Sequence, residues 1–229
     1  MKRFLILVAL LSFMGEVPAA GPQTQPACAP AKMVKATIRN ATPDIDPDSF
    51  AAQPRTYYRL GTRYGRVEDQ PDMEHGVHGL MVASEPDLWM INLLNKKGKH
   101  IIDKQPPQHF HIPLLALPGN PASPPEDAAS EFLRGFELGC ELEYVKAQSG
   151  GAPPKPEQLD GHTYDAYTAT QGEHKIVLLI DPANGKPFSA TSLKSGKVIT
   201  HVRYVEYDAG LAPDLSLFVP PKDVRFLER

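Results

Sequence analysis

Two histidines separated by one residue, His109 and His111, are the side chains best suited to hold a metal ion. On a strand both imidazoles would point to the same side, because side chains alternate along an extended chain. Imidazole suits Zn²⁺ and Cu²⁺, and His75, His78 or His100 could supply a third ligand. The alternative is a pair of surface or half-buried histidines. We favour this alternative, because no cysteine or carboxylate lies nearby at a ligand-like spacing, and we predict no metal and no cofactor.

Nucleophilic catalysis has no recognisable motif in this chain. The Gly-x-Ser-x-Gly turn, which exposes a serine nucleophile in many hydrolases, is absent from the sequence. The serines lie in ordinary strand or turn contexts, and no glycine-rich phosphate-binding loop is present. Three glutamates of a helical segment, Glu137, Glu141 and Glu143, are interpreted as its solvated side rather than as acid/base groups. We therefore expect a protein that is not an enzyme.

Apolar and aromatic side chains are the remaining functional candidates, because a hydrophobic ligand is held by surface that is withdrawn from water. Eight of them are predicted to line a ligand-binding hollow beneath the helical segment: Trp89, Met90, Leu93, Phe132, Phe136, Leu178, Ile180 and Tyr204. The same residues would equally form an ordinary filled core, since a lined cavity and a packed interior need the same side chains. The sequence leaves these two alternatives open.

The N-terminus has the order of a cleavable secretory signal over residues 1–20. Lys2 and Arg3 precede an apolar run over residues 4–14, and small residues follow at 17–20. The run is short for a membrane span, which needs about 20 apolar residues, and no later stretch qualifies. We therefore expect an exported protein, periplasmic or extracellular, without a transmembrane segment.

The chain has two cysteines, Cys28 and Cys140. In an exported protein an even cysteine count favours a disulfide, which here would tie the N-terminal segment to the body of the domain. Two free or differently buried thiols are the alternative. The formal net charge of −3 argues against nucleic acid, which requires a clustered basic face. After the signal we predict a flexible leader over residues 21–32 and a single β-rich domain over residues 33–229.

The elements that must position these residues are mostly strands. Short alternating segments separated by turn residues recur along the chain, and Asn95 to Gly98 is typical of a hairpin turn. One helical segment is predicted over residues 127–145, where Gly135 and Gly139 favour a break into two helices. Residues 147–158 are predicted as a Gly/Pro loop. About nine or ten strands with one or two helices make an antiparallel α+β domain.

The last third of the chain resembles a known family. The resemblance covers residues 158–224 and rests on strand and turn order, carried by Leu159-Asp160-Gly161, Tyr164-Asp165-Ala166-Tyr167, Leu179-Ile180-Asp181-Pro182, Gly185-Lys186-Pro187, Ser195-Gly196-Lys197, Tyr204-Val205-Glu206-Tyr207 and Pro213-Asp214-Leu215-Ser216-Leu217-Phe218-Val219-Pro220-Pro221. This order is similar to that of the LolA/LolB-like carriers of outer-membrane lipoprotein sorting and their uncharacterised secreted relatives. Residues 79–103 look more like a group of secreted bacterial proteins of unknown function.

The resemblance implies a curved antiparallel sheet, an open half-barrel, whose concave face is covered by helices and whose apolar hollow receives acyl chains. It implies an exported binding protein that holds a hydrophobic ligand, either a lipid or a lipidated partner, between the sheet and a helix. The alternatives are an envelope structural or interaction module without a small-molecule ligand, and a His-based metal-binding protein. The sequence does not specify the oligomeric state.

Overall fold

One sheet of twelve strands organises the part of the chain that the structure describes. This structure, a computed structural model, describes residues 28–103, 110–115 and 128–227. The predicted signal, most of the leader and His109 lie outside the described residues. The strands, in chain order, are β1 (Met33–Asn40), β2 (Arg55–Leu60), β3 (Tyr64–Glu68), β4 (Gly79–Ser84), β5 (Asp87–Asn92), β6 (Lys97–Ile102), β7 (Lys155–Leu159), β8 (His162–Gln171), β9 (His174–Ile180), β10 (Pro187–Lys194), β11 (Lys197–Leu211) and β12 (Arg225–Phe226).

The order across the sheet is β12-β6-β5-β4-β3-β2-β1-β11-β10-β9-β8-β7. Neighbouring strands are antiparallel, except that the two-residue β12 pairs parallel to β6. The sheet therefore consists of two meanders, β2 to β6 and β7 to β11. β1 lies between them and pairs with β2 on one side and β11 on the other. The first strand of the chain occupies the middle of the sheet.

Two-residue turns set the register of the second meander. Asp160 and Gly161 join β7 to β8 with φ of 52° and 79°, and Ser195 and Gly196 join β10 to β11 with φ of 48° and 80°. Positive φ at both central residues gives a turn whose twist matches that of the flanking strands, which is why Asp-Gly and Ser-Gly occur there.

Two short helices replace the single predicted one, as the glycines indicated. α1 spans Ala128–Arg134 and α2 spans Glu141–Gln148. Between them Gly139 has φ of 85°, a left-handed conformation that glycine adopts without steric cost. Short 3₁₀ helices occur at Phe50–Ala52 and Leu215–Phe218. No helix within the described ranges is long and apolar enough to cross a membrane.

The strand number corrects our expectation of nine or ten. β7 (Lys155–Leu159) begins inside the predicted Gly/Pro loop of residues 147–158, and β12 is too short to give a sequence pattern. β7 is mostly exposed, contains Pro156 and forms the outer edge of the sheet, a position where proline is tolerated. Its strand conformation comes from pairing with β8, which no local pattern reveals. The coarser prediction of an open, largely antiparallel sheet with two helices is confirmed.

The sheet buries apolar side chains on both faces. On the helix face, which α1 and α2 cover, inward residues of β1 and of β8 to β11 pack with the two helices and with residues 110–115. On the opposite face, Met33, Leu80, Val82 and Ile91 pack with Phe218 from the second 3₁₀ helix. A smaller cluster on β8 and β9 contains Tyr164, Ala166 and Leu179.

Candidate functional site

Five of the eight predicted ligand-binding residues come together on the helix face. Phe132 of α1 and Phe136, which follows it, pack over Leu178 and Ile180 of β9 and Tyr204 of β11 in one apolar cluster. All five are buried. The alternation of β9 explains why Leu178 and Ile180 share this face, since residues i and i+2 of a strand point the same way.

The structure does not bring the other three to this place. Trp89 and Leu93 pack against the apolar cluster of the opposite face, and the Trp89 ring stacks on His100 with ring centroids 5.1 Å apart. Met90 is 52% exposed. Trp89 and Met90 are neighbours on β5 and so must point to opposite faces, a rule that could have separated them from the sequence alone.

The helix-face interior is filled by protein side chains in the described part of the chain. Phe136, Leu138, Ile176 and Leu178 have no exposed surface, and two clefts of the protein lie elsewhere. One of them is a shallow apolar depression of about 310 Å³ beside Met90, Val77 and the aliphatic part of Lys99. Among the described residues, the side chains beneath the helices are therefore buried against one another, as in a packed interior.

Glu141, the first residue of α2, places a carboxyl group inside this apolar interior. It is 1% exposed and accepts hydrogen bonds from the hydroxyls of Tyr204 at 3.2 Å and Tyr207 at 3.1 Å, and from the backbone N–H of Gly139 at 2.9 Å. Burial raises the pKa of Glu141 to about 7, because desolvation penalises the charged form more than these hydrogen bonds favour it. Near neutral pH this group therefore changes between a neutral and a charged state.

A buried ion pair fastens the loop before α2 to the sheet. Arg59 of β2, 1% exposed, contacts Glu137 with an N–O distance of 2.5 Å. Its guanidinium also donates to the carbonyl oxygens of Leu138 at 3.1 Å and Cys28 at 2.9 Å. Glu137 in turn contacts Nδ1 of His111 at 2.6 Å. Because it also donates to the Phe110 carbonyl at 3.5 Å, the arginine joins three segments: the N-terminal one, residues 110–115 and the loop between the helices.

The prediction that three glutamates form the solvated side of the helical segment is wrong for two of them. Glu137 and Glu141 are buried, and only Glu143 is exposed as expected. Both buried carboxylates find partners on distant strands, Arg59 and the tyrosines of β11, so their burial depends on tertiary contacts. In the sequence, the two buried glutamates differ from ordinary surface glutamates only in that they flank a glycine and a cysteine, four residues apart.

The disulfide between Cys28 and Cys140 is present in the structure, with a Cα–Cα distance of 6.0 Å. Cys140 immediately precedes α2, so the bond ties the described part of the leader to the start of that helix. Together with the bond from Arg59 to the Cys28 carbonyl, it holds this end of the helical cover in place.

Among the described residues, no group of three potential metal ligands occurs. His75 contacts Asp72, His78 contacts Glu68, and His100 contacts Asp87. His111 has a half-exposed side chain and contacts Glu137, whereas its predicted companion His109 lies outside the described residues.

No protein-family model matches the chain, and none of the curated proteins matches it. Among solved structures, it is similar to an uncharacterised conserved protein from Thermus thermophilus, with 17% identity, a TM-score of 0.43, and coverage of 87% of this chain and 91% of the other. MucB in the Pseudomonas aeruginosa MucA/MucB complex matches with 10% identity and a TM-score of 0.41. That match covers 85% of this chain but 58% of the other.

A LolA superfamily protein from Nitrosomonas europaea is also similar, with 14% identity, a TM-score of 0.32, and coverage of 83% of this chain and 91% of the other. This is the superfamily that the strand order of the last third resembles. At these identities and TM-scores the likenesses carry no argument about what the present chain binds, which has to come from its own side chains.

Proposed function

We propose that this chain is an exported binding protein, without catalytic activity, that holds a hydrophobic ligand on the helix face of its sheet. The sheet would act as an open half-barrel, with the helices covering its concave side, and the ligand would be a lipid or the acyl chain of a lipidated partner. The observation that carries the proposal is the apolar cluster between β9, β11 and the short helices, in which Phe132, Phe136, Leu178 and Ile180 are buried.

The cover of this cluster is made of short pieces rather than one long helix. α1 has seven residues and α2 has eight, and residues 110–115 add a third piece. Isolated helices of this length are not stable in water, so their position depends on the apolar side chains that they bury. A ligand that offers similar apolar surface can replace those side chains at a comparable free energy, about 25 cal/mol per Å².

α1 is the piece that we expect a ligand to displace. The start of α2 is held by the disulfide at Cys140 and by the Arg59–Glu137 pair. α1 is attached through the buried side chains of Phe132 and Leu133 and through a 2.6 Å hydrogen bond from the Tyr144 hydroxyl to the Phe132 carbonyl. An acyl chain would take the place of the Phe132 ring above β9.

Native mass spectrometry tests the proposal directly. The full chain, recovered from the cell envelope and delipidated, is incubated with an envelope lipid extract. We expect a bound lipid, and we expect Phe132→Ala to raise the bound fraction because it vacates part of the interior. Phe218→Ala is the matched control, since both rings are 2% exposed but Phe218 packs on the opposite face.

Each substitution should lower the free energy of unfolding by about 3–5 kcal/mol, so circular dichroism must first show that the variants fold. Phe132→Leu and Phe218→Leu are the milder pair of variants. The absence of bound lipid in the wild type and in the Phe132 variants would refute the proposal. An equal rise in both variants would attribute binding to partial unfolding. A chain that carries no lipid but associates with itself or another protein would favour the interaction-module alternative.

A further inference from the structure

The face of the sheet opposite the helices carries a polar cleft of about 350 Å³. Its walls come from β2, β3, the loop that follows β3, and the 3₁₀ helix near the C-terminus. The lining residues are Thr56, Tyr58, Arg66, Glu68, Asp69, Gln70, Pro71, His78 and Leu217. This volume lies at the lower end of the range of about 300–1,000 Å³ that ligand pockets occupy.

The floor of the cleft is built from two directly opposed residue pairs. Thr56 of β2 faces Glu68 of β3, and Tyr58 faces Arg66. Opposed residues in an antiparallel pair project from the same face with Cβ atoms about 4.5–5.5 Å apart. Four polar side chains therefore stand side by side on this face of the sheet.

The charges of the cleft are already balanced within the protein. Arg66 contacts Glu68 at 2.7 Å, and Arg55 contacts Asp69 at 2.6 Å. His78 contacts the other oxygen of Glu68 at 3.3 Å, and Arg66 also donates to the Leu217 carbonyl at 3.2 Å. Because each carboxylate already has a basic partner, the site has no excess charge with which to attract an ion.

Neutral polar groups in the cleft remain available to a ligand. Among the described residues, the Thr56 and Tyr58 hydroxyls and the Gln70 amide have no side-chain hydrogen-bond partner. Each can both donate and accept. The planar Arg66 and Asp69 groups lie beside them, and the Tyr58 ring and Leu217 add apolar surface.

From this arrangement we propose that the cleft is a binding site for a neutral saccharide unit. A sugar ring presents hydroxyls around its rim, each both donor and acceptor, and C–H groups on its faces. The rim matches the available polar groups and the planar charged ones, and a C–H face matches the Tyr58 ring and Leu217. The absence of excess charge selects a neutral ligand over an anionic one. The site lies on the opposite face from the proposed hydrophobic interior and is independent of it.

Saturation-transfer NMR on the full chain tests this site. The probes are N-acetylglucosamine, maltose and cellobiose as neutral saccharides, with glucuronate and inorganic phosphate as anions. We expect saturation transfer to at least one neutral saccharide. Thr56→Val, Tyr58→Phe and Gln70→Ala should each weaken its affinity about fivefold, the effect of losing one hydrogen bond of about 1 kcal/mol.

Matched controls carry the same chemical changes elsewhere in the sheet. Thr168→Val and Tyr167→Phe, both on β8, should leave saccharide affinity unchanged. Saturation transfer to none of the three neutral saccharides would overturn the proposal. So would binding that is equally weakened by the β8 controls, or stronger binding of glucuronate or phosphate than of any neutral saccharide.

Discussion

The two faces of the sheet are covered in different ways. Short helices cover the helix face, fastened at one end by a disulfide and a buried ion pair, and polar groups beneath them are withdrawn from water. The opposite face is covered by the C-terminal part of the chain, which pairs with the sheet edge through β12 and leaves an open polar cleft. Polar groups on the helix face therefore affect stability, whereas neutral polar groups in the cleft on the opposite face are open to solvent.

Among the polar contacts, the largest expected effect on stability is at the buried ion pair. Arg59→Ala leaves the Glu137 carboxylate buried with only His111 as a basic partner among the described residues, so we expect a loss of about 3–5 kcal/mol in the free energy of unfolding. Urea denaturation measures it. The control is Lys35→Ala, which breaks an exposed pair with Glu206 and should cost about 0–1 kcal/mol. Equal losses in the two variants would contradict the difference between buried and exposed pairs.

Removal of the disulfide should have the next largest effect. The double substitution Cys28→Ser and Cys140→Ser opens the loop between two residues that are 112 positions apart. We expect it to lower the free energy of unfolding by about 2–4 kcal/mol. If the disulfide holds α2 in place on the helix face, its removal should speed amide hydrogen exchange in α2 more than in β2 to β6. Uniform acceleration across both faces would show that the bond stabilises the whole sheet and not the helix face in particular.

Glu141 makes the stability of the helix face depend on pH. Its pKa is about 7 in the folded chain against an ordinary value of 4.5, so the folded state holds the proton more tightly. The resulting stabilisation is present below pH 4.5 and is lost as pH rises to about 7. The total is about 3 kcal/mol, at 1.36 kcal/mol per pKa unit. Burial holds the pKa values of Tyr204 and Tyr207 above their ordinary value, so these hydroxyls stay protonated in this window.

Glu141→Gln should remove this dependence, because an amide does not titrate. Relative to wild type, the variant should gain stability between pH 4.5 and pH 7, as measured by urea unfolding at several pH values. Glu143→Gln, on the exposed side of α2, is the control and should give no such gain. A pH-independent difference between Glu141→Gln and wild type would show that the carboxyl group does not titrate in this range.

The smallest stability effect is expected in the polar cleft. Thr56→Val removes a hydroxyl that has no side-chain partner among the described residues, so the free energy of unfolding should change by less than about 0.5 kcal/mol. Thermal denaturation measures this. A loss above about 1 kcal/mol would mean that the hydroxyl has a structural role, and would remove the contrast between the two faces.

The sequence predicted those features of the fold that local chemistry determines. The break at Gly139 and the hairpin between β5 and β6 follow from residues at the turn itself, although Lys97 and Gly98 of the predicted turn belong to β6. β7 was missed because its exposed residues become a strand only by pairing with β8. Phe136 and Leu178 lie in one apolar cluster, and their predicted role in holding a ligand stays a prediction. The burial of Glu137 and Glu141 was missed, because it depends on partners from β2 and β11.

The position of β1 has a consequence for how the chain reaches its fold. β1 pairs with β2 on one side and with β11 on the other, joining Val34 to Arg59 and Ile38 to Tyr204. The pairing of β1 with β11 forms slowly, because the long stretch of chain between these two strands must close into a loop first. A chain that emerges from its N-terminus can complete the first meander early, but β1 keeps one open edge until β11 is available. The pairing of β1 with β11 therefore joins the two meanders into one sheet, and until it forms the free edge of β1 is exposed to pairing with other chains.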